Sequence, residues 1–273
     1  MYKLVRTLSG NSSRIRRLSS RYFYQYVSTL DQSGQVTLMN YGYVDLDPAA
    51  QPIPLKAVDE FNRYPLQLYH KVSSAVDLRG LDVLEVGSGR GGGAAYVSRH
   101  LGPRSMTGMD LSANAVAFSR RHHHSGNGLR YVQGDAEDLS FSDASFDAVI
   151  NIESSHCYGE MAQFLREVHR VLRPGGHLLW ADTLAPHQHG SLQQDVRQSG
   201  FEVVKEEAIT ENVLAAMNLM TERNRKLTDT IAPWYARKVF YHFAGVEGAS
   251  YIYDLFQSGD LEYLHMVLRR KAA

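Results

Sequence analysis

The tightest constraint on this chain is a glycine run set directly behind a short apolar segment. Leu81–Val86 reads as a buried strand, and Gly87-Ser88-Gly89-Arg90-Gly91-Gly92-Gly93 follows without a spacer. Residues 94–101 then read as helical. A glycine turn between a strand and a helix lets the backbone approach a ligand closely, with the helix N-terminus aimed at it. Such a turn belongs to sheets in which strands alternate with helices, and the rest of the chain has that rhythm.

Short strands are predicted at 105–109 ending at Asp110, then at 129–132, 146–152, 177–181, 201–206 and 263–269. Helices are predicted at 55–76, 113–123 with Ser112 as N-cap, and 188–199. Met161, Phe164, Leu165, Val168, Val171 and Leu172 recur at helical spacing, and Pro174-Gly175-Gly176 is expected to end that helix. The pattern implies an α/β fold with a doubly wound, Rossmann-like, mostly parallel seven-stranded sheet. The stretch 208–260 breaks the rhythm. It reads as a helical insertion before the last strand, rich in methionine and aromatic residues. The expected organisation is an N-terminal helical cap at 1–74, a ligand-binding core at 75–206, a lid at 207–260 and a final core strand at 261–273.

Charge narrows the partners. The 273 residues hold 29 Lys plus Arg and 29 Asp plus Glu, which argues against a polycation that neutralises nucleic-acid phosphates. The balance is uneven, because the first thirty residues carry six basic side chains and no acid. That front fits three readings: a targeting segment, an arm approaching an anionic membrane, or a solvated amphipathic helix. Tyr22, Phe23, Tyr24 and Tyr26 follow it and count against cleavage just upstream. The single cysteine, Cys157, excludes a disulfide-built secreted scaffold and is expected to be a small buried filler. No run of 18 apolar residues suggests a membrane span. A cytoplasmic location is expected, with peripheral membrane contact through the basic front as its variant. The oligomeric state is left unassigned.

Gly87-x-Gly89-x-x-Gly92 alone also satisfies a dinucleotide pattern. Three neighbours discriminate. Glu85 lies two residues before the turn, where a carboxylate suits an ammonium and sulfonium ligand and repels a pyrophosphate. Gly134-Asp135-Ala136 follows the third strand, where a carboxylate can accept from an adenine amino group. Asn151-Ile152-Glu153-Ser154-Ser155-His156 puts a polar run at the carboxyl edge of the sheet, where ligands bind in this architecture. With Asp110 and Leu172-Arg173-Pro174-Gly175-Gly176, these motifs resemble the class I S-adenosylmethionine-dependent methyltransferases over about 75–206. Asp59–Arg63, Leu68-Tyr69-His70, Gly91-Gly92-Gly93 and Glu153–Tyr158 resemble, more closely, the phthiotriol/phenolphthiotriol dimycocerosates methyltransferases and related lipid- and polyketide-tailoring O-methyltransferases.

The resemblance implies that S-adenosyl-L-methionine is the cofactor and S-adenosyl-L-homocysteine its product. It implies that Glu85, Gly87, Ser88, Gly89 and Gly91 hold the amino-acid end, Asp110 with Leu111 the ribose, and Asp135 with Ala136 the adenine. Asn151 is expected to complete the set, and Tyr43 either to close over the methionine carboxylate or to pack. A hydroxyl of a bulky hydrophobic product is the implied acceptor. A neutral alcohol is a poor nucleophile, so a base near operating pH helps; His156 is the candidate and Glu153 its orienter or a substrate contact. Tyr158, Met217, Trp234 and Tyr241 are expected to line the acceptor site. Methylation at carbon or nitrogen, and a cofactor-retaining member that no longer methylates, stay open beside this reading; a nicotinamide oxidoreductase is opposed by Glu85 and Asp135. No metal site is expected: His122, His123 and His124 point about 100° apart on a helix and cannot share one ion. Deleting residues 1–21 is expected to leave S-adenosylhomocysteine binding intact by calorimetry and to lower turnover of lipid acceptors.

Overall fold

The computed structural model describes residue 34, residues 36–123 and residues 128–271. The basic front, the Tyr22–Tyr26 cluster and His124 lie outside the described residues. Within them, seven strands form one sheet in the order β3-β2-β1-β4-β5-β7-β6. The strands are β1 Asp82–Val86, β2 Ser105–Asp110, β3 Leu129–Gln133, β4 Phe146–Ile152, β5 Leu172–Leu184, β6 Phe201–Ala208 and β7 Glu262–Arg270. All pairs are parallel except those made by β7, which runs antiparallel between β5 and β6. The helices are α1 Arg63–Ser73, α2 Gly92–His100, α3 Ala113–His122, α4 Met161–Val171, α5 His189–Gln198, α6 Thr210–Ile231, α7 Arg237–Phe243 and α8 Tyr251–Ser258. The last three form the insertion between β6 and β7.

Alternation along β1 explains the two-sided core. Leu84 and Val86 pack with Phe164, Leu165, Val168 and Val171 of α4 on one face. Val83 packs on the other face with Ala94 and Val97 of α2 and with Leu68, Tyr69 and Val72 of α1. Glu85 shares that second face by the period-two rule and is 1% exposed. The helices end and begin where their residue types allow. The Ser112 hydroxyl accepts from the Ala115 N–H at 3.3 Å to cap α3, and Gly259, at φ +78°, closes α8 in the left-handed region.

Strand order reverses between β2-β1 and β4-β5, so the carboxyl ends of β1 and β4 frame a crevice. Two expectations shift here. The Leu172–Gly176 segment is strand rather than helix stop, because Leu172 already pairs with Phe146 across a register slip in β4. Arg270 makes this abrupt change tolerable. Its Nη1 donates to the carbonyls of His169, Arg170 and Leu172, spanning the junction of α4 and β5. The described part of the N-terminal cap is also less helical than expected. Residues 36–47 are without helix or strand and run along the core, with Tyr43 N–H donating to Tyr64 O at 3.0 Å and Asn212 Nδ2 to Val44 O at 2.8 Å.

Gly93 shows how closely α1 and α2 approach: a Cβ there would stand 2.0 Å from Tyr69 Cε1. Gly93→Ala should therefore cost about 1–3 kcal/mol in denaturant unfolding. Gly190→Ala, in an α5 position with open space around it, should instead be neutral or stabilise by up to about 1 kcal/mol.

Candidate active site

The crevice holds a cavity whose free space, counting its open mouth, is about 1130 Å³. Its wall includes Gly87, Ser88, Gly89, Asp110, Leu111, Asp135, Ala136, Glu153 and Tyr158 of the sequence-predicted residues. They arrive from the carboxyl ends of β1, β2, β3 and β4, which explains how positions far apart in the chain share one surface.

The glycine turn is held by its neighbours. Gly89 N–H donates to Asp110 Oδ2 and Ser112 N–H to Asp110 Oδ1, each at 2.8 Å. Both carboxylate oxygens are thus oriented while keeping further lone pairs for a ligand diol. At Gly87, φ is +79° and a Cβ would lie 2.2 Å from Ser154 Oγ, so the turn closes only around glycine. Asn151, fully buried, places Nδ2 within 2.9 Å of Val86 O, Ser154 Oγ and Tyr158 Oη. It fastens the loop after β4 to the end of β1.

Several predicted residues stand elsewhere. Glu85 lies behind the wall: its Oε1 accepts from Tyr69 Oη at 2.6 Å, and it is Tyr69 that reaches the cavity. Gly91 also lies off the wall. A Cβ there would strike Tyr131 at 2.6 Å, so this glycine serves helix packing. Asn151 acts through the loop it ties down. Tyr43 is buried under Lys71, whose Nζ lies 5.4 Å from its ring centre, and is not on the wall. Met217 is a buried core residue of α6. Tyr241 turns its hydroxyl to Asp229 at 2.5 Å. Trp234 is 82% exposed on the outer surface. None of these last three lines the cavity, because α6 packs its apolar face on the sheet and leaves the α6–α7 corner outside. Cys157 is half-buried on the cavity wall instead of filling the core. His122 and His123 bond to different partners, Phe118 O and Arg90 O.

His156 sits in a 3-10 turn, Ser155–Cys157, just past β4. It is about one-third exposed, beside the cavity and not on its wall. Its Nδ1 lies 2.7 Å from Asp182 Oδ1. Asp182, 1% exposed on β5, also accepts from Ser155 Oγ at 2.6 Å, His156 N–H at 3.0 Å and Thr183 N–H at 2.7 Å. Burial opposes charge on the imidazole, but the Asp182 carboxylate and the Cys157 side chain outweigh it and hold the His156 pKa well above its ordinary value. Burial likewise works against the Asp182 carboxylate, and His156 more than compensates, so its pKa falls.

Glu153 has a left-handed backbone, φ +46°, at the end of β4. Conformations of this kind in a non-glycine residue store strain and gather at functional sites. Its Oε1 accepts from Tyr41 N–H at 2.8 Å and Tyr263 Oη at 2.9 Å. Burial, with the Asp182 charge adding to it, pushes its pKa up to about 8. Glu85 is pushed up to about 7, by burial first and by the Asp110 charge as well. Asp182, Tyr69, Tyr263 and the strip Thr37–Asn40 on the cavity wall were not anticipated. Asp182 reaches this edge because β5 pairs beside β4, a register that no local pattern in the sequence specifies. Tyr263 and the 37–40 strip come from the two distant ends of the chain, and no local pattern marks them.

One buried polar atom of the cavity wall, Ser88 Oγ, has no hydrogen-bond partner among the described residues. Buried polar groups are ordinarily satisfied, and an acid-lined cavity over a glycine turn fits a ligand bearing an ammonium, a sulfonium and ribose hydroxyls. The sheet order and this site define a class I S-adenosylmethionine-dependent methyltransferase. A family model described as a methyltransferase domain matches residues 84–180. The phthiotriol/phenolphthiotriol dimycocerosates methyltransferase of Mycobacterium leprae is 37% identical over 255 residues, covering 93% of each chain. The chain belongs to this methyltransferase family. It is also 38% identical to a fatty-acid O-methyltransferase of Mycolicibacterium smegmatis over 220 residues, 81% of this chain and 79% of that one. Among solved structures, the (4+2)-cyclase SpnF shares the fold with a TM-score of 0.73 at 23% identity, covering 93% of this chain and 96% of that one. A geranyl diphosphate methyltransferase solved with sinefungin has a TM-score of 0.69 at 17% identity, covering 93% and 99%.

The raised carboxyl pKa values carry a pH signature. The unfolded chain releases these protons near pH 4.5, whereas the native protein keeps them to about 7 at Glu85 and 8 at Glu153. Each carboxyl therefore subtracts from stability as pH rises through that window. Glu153→Gln should gain melting temperature relative to the parent as pH goes from about 5 to 8, with the two curves parallel above that. S-adenosylmethionine, being cationic, should favour the ionised carboxyls, so its binding at pH 7 should release protons in calorimetry across two buffers, and fewer in Glu85→Gln.

Proposed function

We propose that the protein transfers a methyl group from S-adenosylmethionine to a hydroxyl of a bulky lipid- or polyketide-type acceptor, with His156 as general base and Asp182 as its positioning residue. The observation that carries this reading is the His156–Asp182 pair, 2.7 Å apart at the carboxyl edge of the sheet. The names of the relatives, which act on dimycocerosates and fatty acids, support a lipid acceptor. The bound cofactor supplies a methyl group already activated on a cationic sulfur, so the chain's task is alignment and proton removal.

Asp182 engages Nδ1, which leaves Nε2 as the nitrogen that accepts the hydroxyl proton. The imidazolium so formed is stabilised by the same carboxylate. Ser155 takes part by holding Asp182: its Oγ donates to Oδ2 while accepting from Trp180 Nε1 at 2.9 Å. Asp110 holds the ribose, Asp135 with the Ala136 backbone the adenine, and the glycine turn with Ser88 the amino-acid end. The strip Thr37–Asn40 and Tyr69 cover the cavity from the other side.

A second reading is favoured by the raised pKa of His156 itself. An imidazole whose proton Asp182 holds more tightly is a partner for a carboxylate, and a carboxylate attacks without losing a proton. The relative named a fatty-acid O-methyltransferase accords with that acceptor. The two readings separate by pH. With a hydroxyl acceptor, kcat should rise through the elevated His156 pKa, and Asp182→Asn should move that rise to lower pH while lowering its plateau. His156→Ala should lose roughly 10²–10⁴-fold. With a carboxylate acceptor, kcat/KM should instead fall as the imidazolium loses its proton. Products identified by mass spectrometry after incubation with hydroxylated lipids, fatty acids and aromatic polyketides decide the rest. Methyl transfer to carbon or nitrogen alone overturns both readings.

A further inference from the structure

The connection between α6 and α7 carries the most exposed aromatic surface among the described residues. Trp234 is 82% exposed, Tyr235 68% and Val239 41%. The two rings meet edge to face, with centres 5.9 Å apart and planes at 85°. Large aromatic rings are ordinarily buried, because each withdraws a large apolar area from water. Here they are held outward by a built corner. Ala236 N–H donates to Pro233 O at 2.8 Å. Arg237 Nη2 donates to Asp229 O at 2.9 Å, and its Nε lies 3.6 Å from the Asp229 carboxylate. The Arg237 side chain thereby caps the end of α6 and fixes the turn that projects the two rings.

The charge around this corner differs from the rest of the molecule. Residues 219–243 hold five basic and two acidic side chains. Outside this stretch and the basic first thirty residues, the chain holds 18 basic and 27 acidic side chains. Both acids near the corner are engaged, Asp229 by Arg237 and Tyr241 and Glu222 by Arg225. Lys226 and Lys238 are exposed and have no carboxylate within 4.0 Å among the described residues. An aromatic pair at the tip, with exposed lysines on the two helices that flank it, Lys226 on α6 and Lys238 on α7, matches the two layers of a bilayer surface. Indole and phenol rings settle at headgroup depth, and ammonium groups meet anionic headgroups.

We propose that the Trp234–Tyr235 corner docks the protein on an anionic lipid surface, with Lys226 and Lys238 supplying the electrostatic part. This goes beyond the methyl-transfer reading and does not depend on the acceptor's identity. It assigns membrane contact to residues of the insertion that do not line the cavity.

The chain carries its own reporter. It has two tryptophans, and Trp180 is 3% exposed, so a change in the long-wavelength emission reports Trp234. The full-length protein is mixed with vesicles of phosphatidylcholine alone and with vesicles containing about one-third phosphatidylserine. The expected result is co-sedimentation with the anionic vesicles together with a blue shift of the emission, both weakened by high salt. Trp234→Ala/Tyr235→Ala should cut the partition coefficient about tenfold or more. Lys226→Glu/Lys238→Glu should cut it by about fivefold or more per site. Melting temperature and S-adenosylhomocysteine affinity should be unchanged in both. Vesicle binding with unshifted emission, as the basic first thirty residues alone would produce, overturns the proposal. So does binding undiminished in the double alanine variant, or a blue shift without lipid that scales with protein concentration, which would make this corner a contact between copies of the chain.

Discussion

Negative charge collected at the carboxyl edge of the sheet is the constraint on which the site depends. Glu85, Asp110, Glu153 and Asp182 lie at or within two residues of the carboxyl ends of β1, β2, β4 and β5, and each is at least largely withdrawn from water. An unpaired buried carboxylate is expensive, so the fold handles each in a separate way. Asp110 is given two backbone N–H donors, and Asp182 a histidine, a serine and two backbone donors. Glu85 and Glu153 are given a tyrosine each and retain their protons toward neutrality. A cationic cofactor relieves the repulsion these groups feel from one another, which links binding to the protonation state of the sheet edge.

The same edge explains why both ends of the chain fold back over it. Tyr69 comes from α1, ahead of the first strand, and Tyr263 from the last strand; both donate to acids from the centre of the sheet. Tyr41 adds a backbone N–H to Glu153. Antiparallel insertion of β7 between β5 and β6 brings Tyr263 to the side of the sheet where α1 packs. The acids thus recruit the outer elements as hydrogen-bond donors, and those elements close the cavity in doing so.

The central half of the site was legible because its determinants are local. A strand followed by Gly87-Ser88-Gly89, an acid at the end of the next strand, and Gly134-Asp135-Ala136 after the third are each readable within a few residues. The order of strands then brings their ends together. His156 was legible as a polar residue beyond β4, yet its partner was not, since Asp182 becomes adjacent only through the β4–β5 register. Met217, Trp234 and Tyr241 were misassigned for one physical reason. Large apolar residues in an insertion mark burial or exposure on some face, and only the packing of α6 decides which face meets the sheet. For Tyr43 both readings, closing over the cofactor and packing, were open from its turn, and the fold chose packing by burying the ring beneath Lys71.

What the sequence determined by itself was the doubly wound sheet, the cofactor class and the glycine turn, because strand periodicity, glycine freedom and the acids Asp110 and Asp135 after successive strands are all local features. The tertiary structure decided the rest. It turned Glu85 and Asn151 from direct contacts into supports and paired His156 with Asp182. It raised the pKa values of Glu85 and Glu153 and sent Trp234 outward. Each of these depends on burial and on partners contributed from remote parts of the chain, and only the packed fold specifies either.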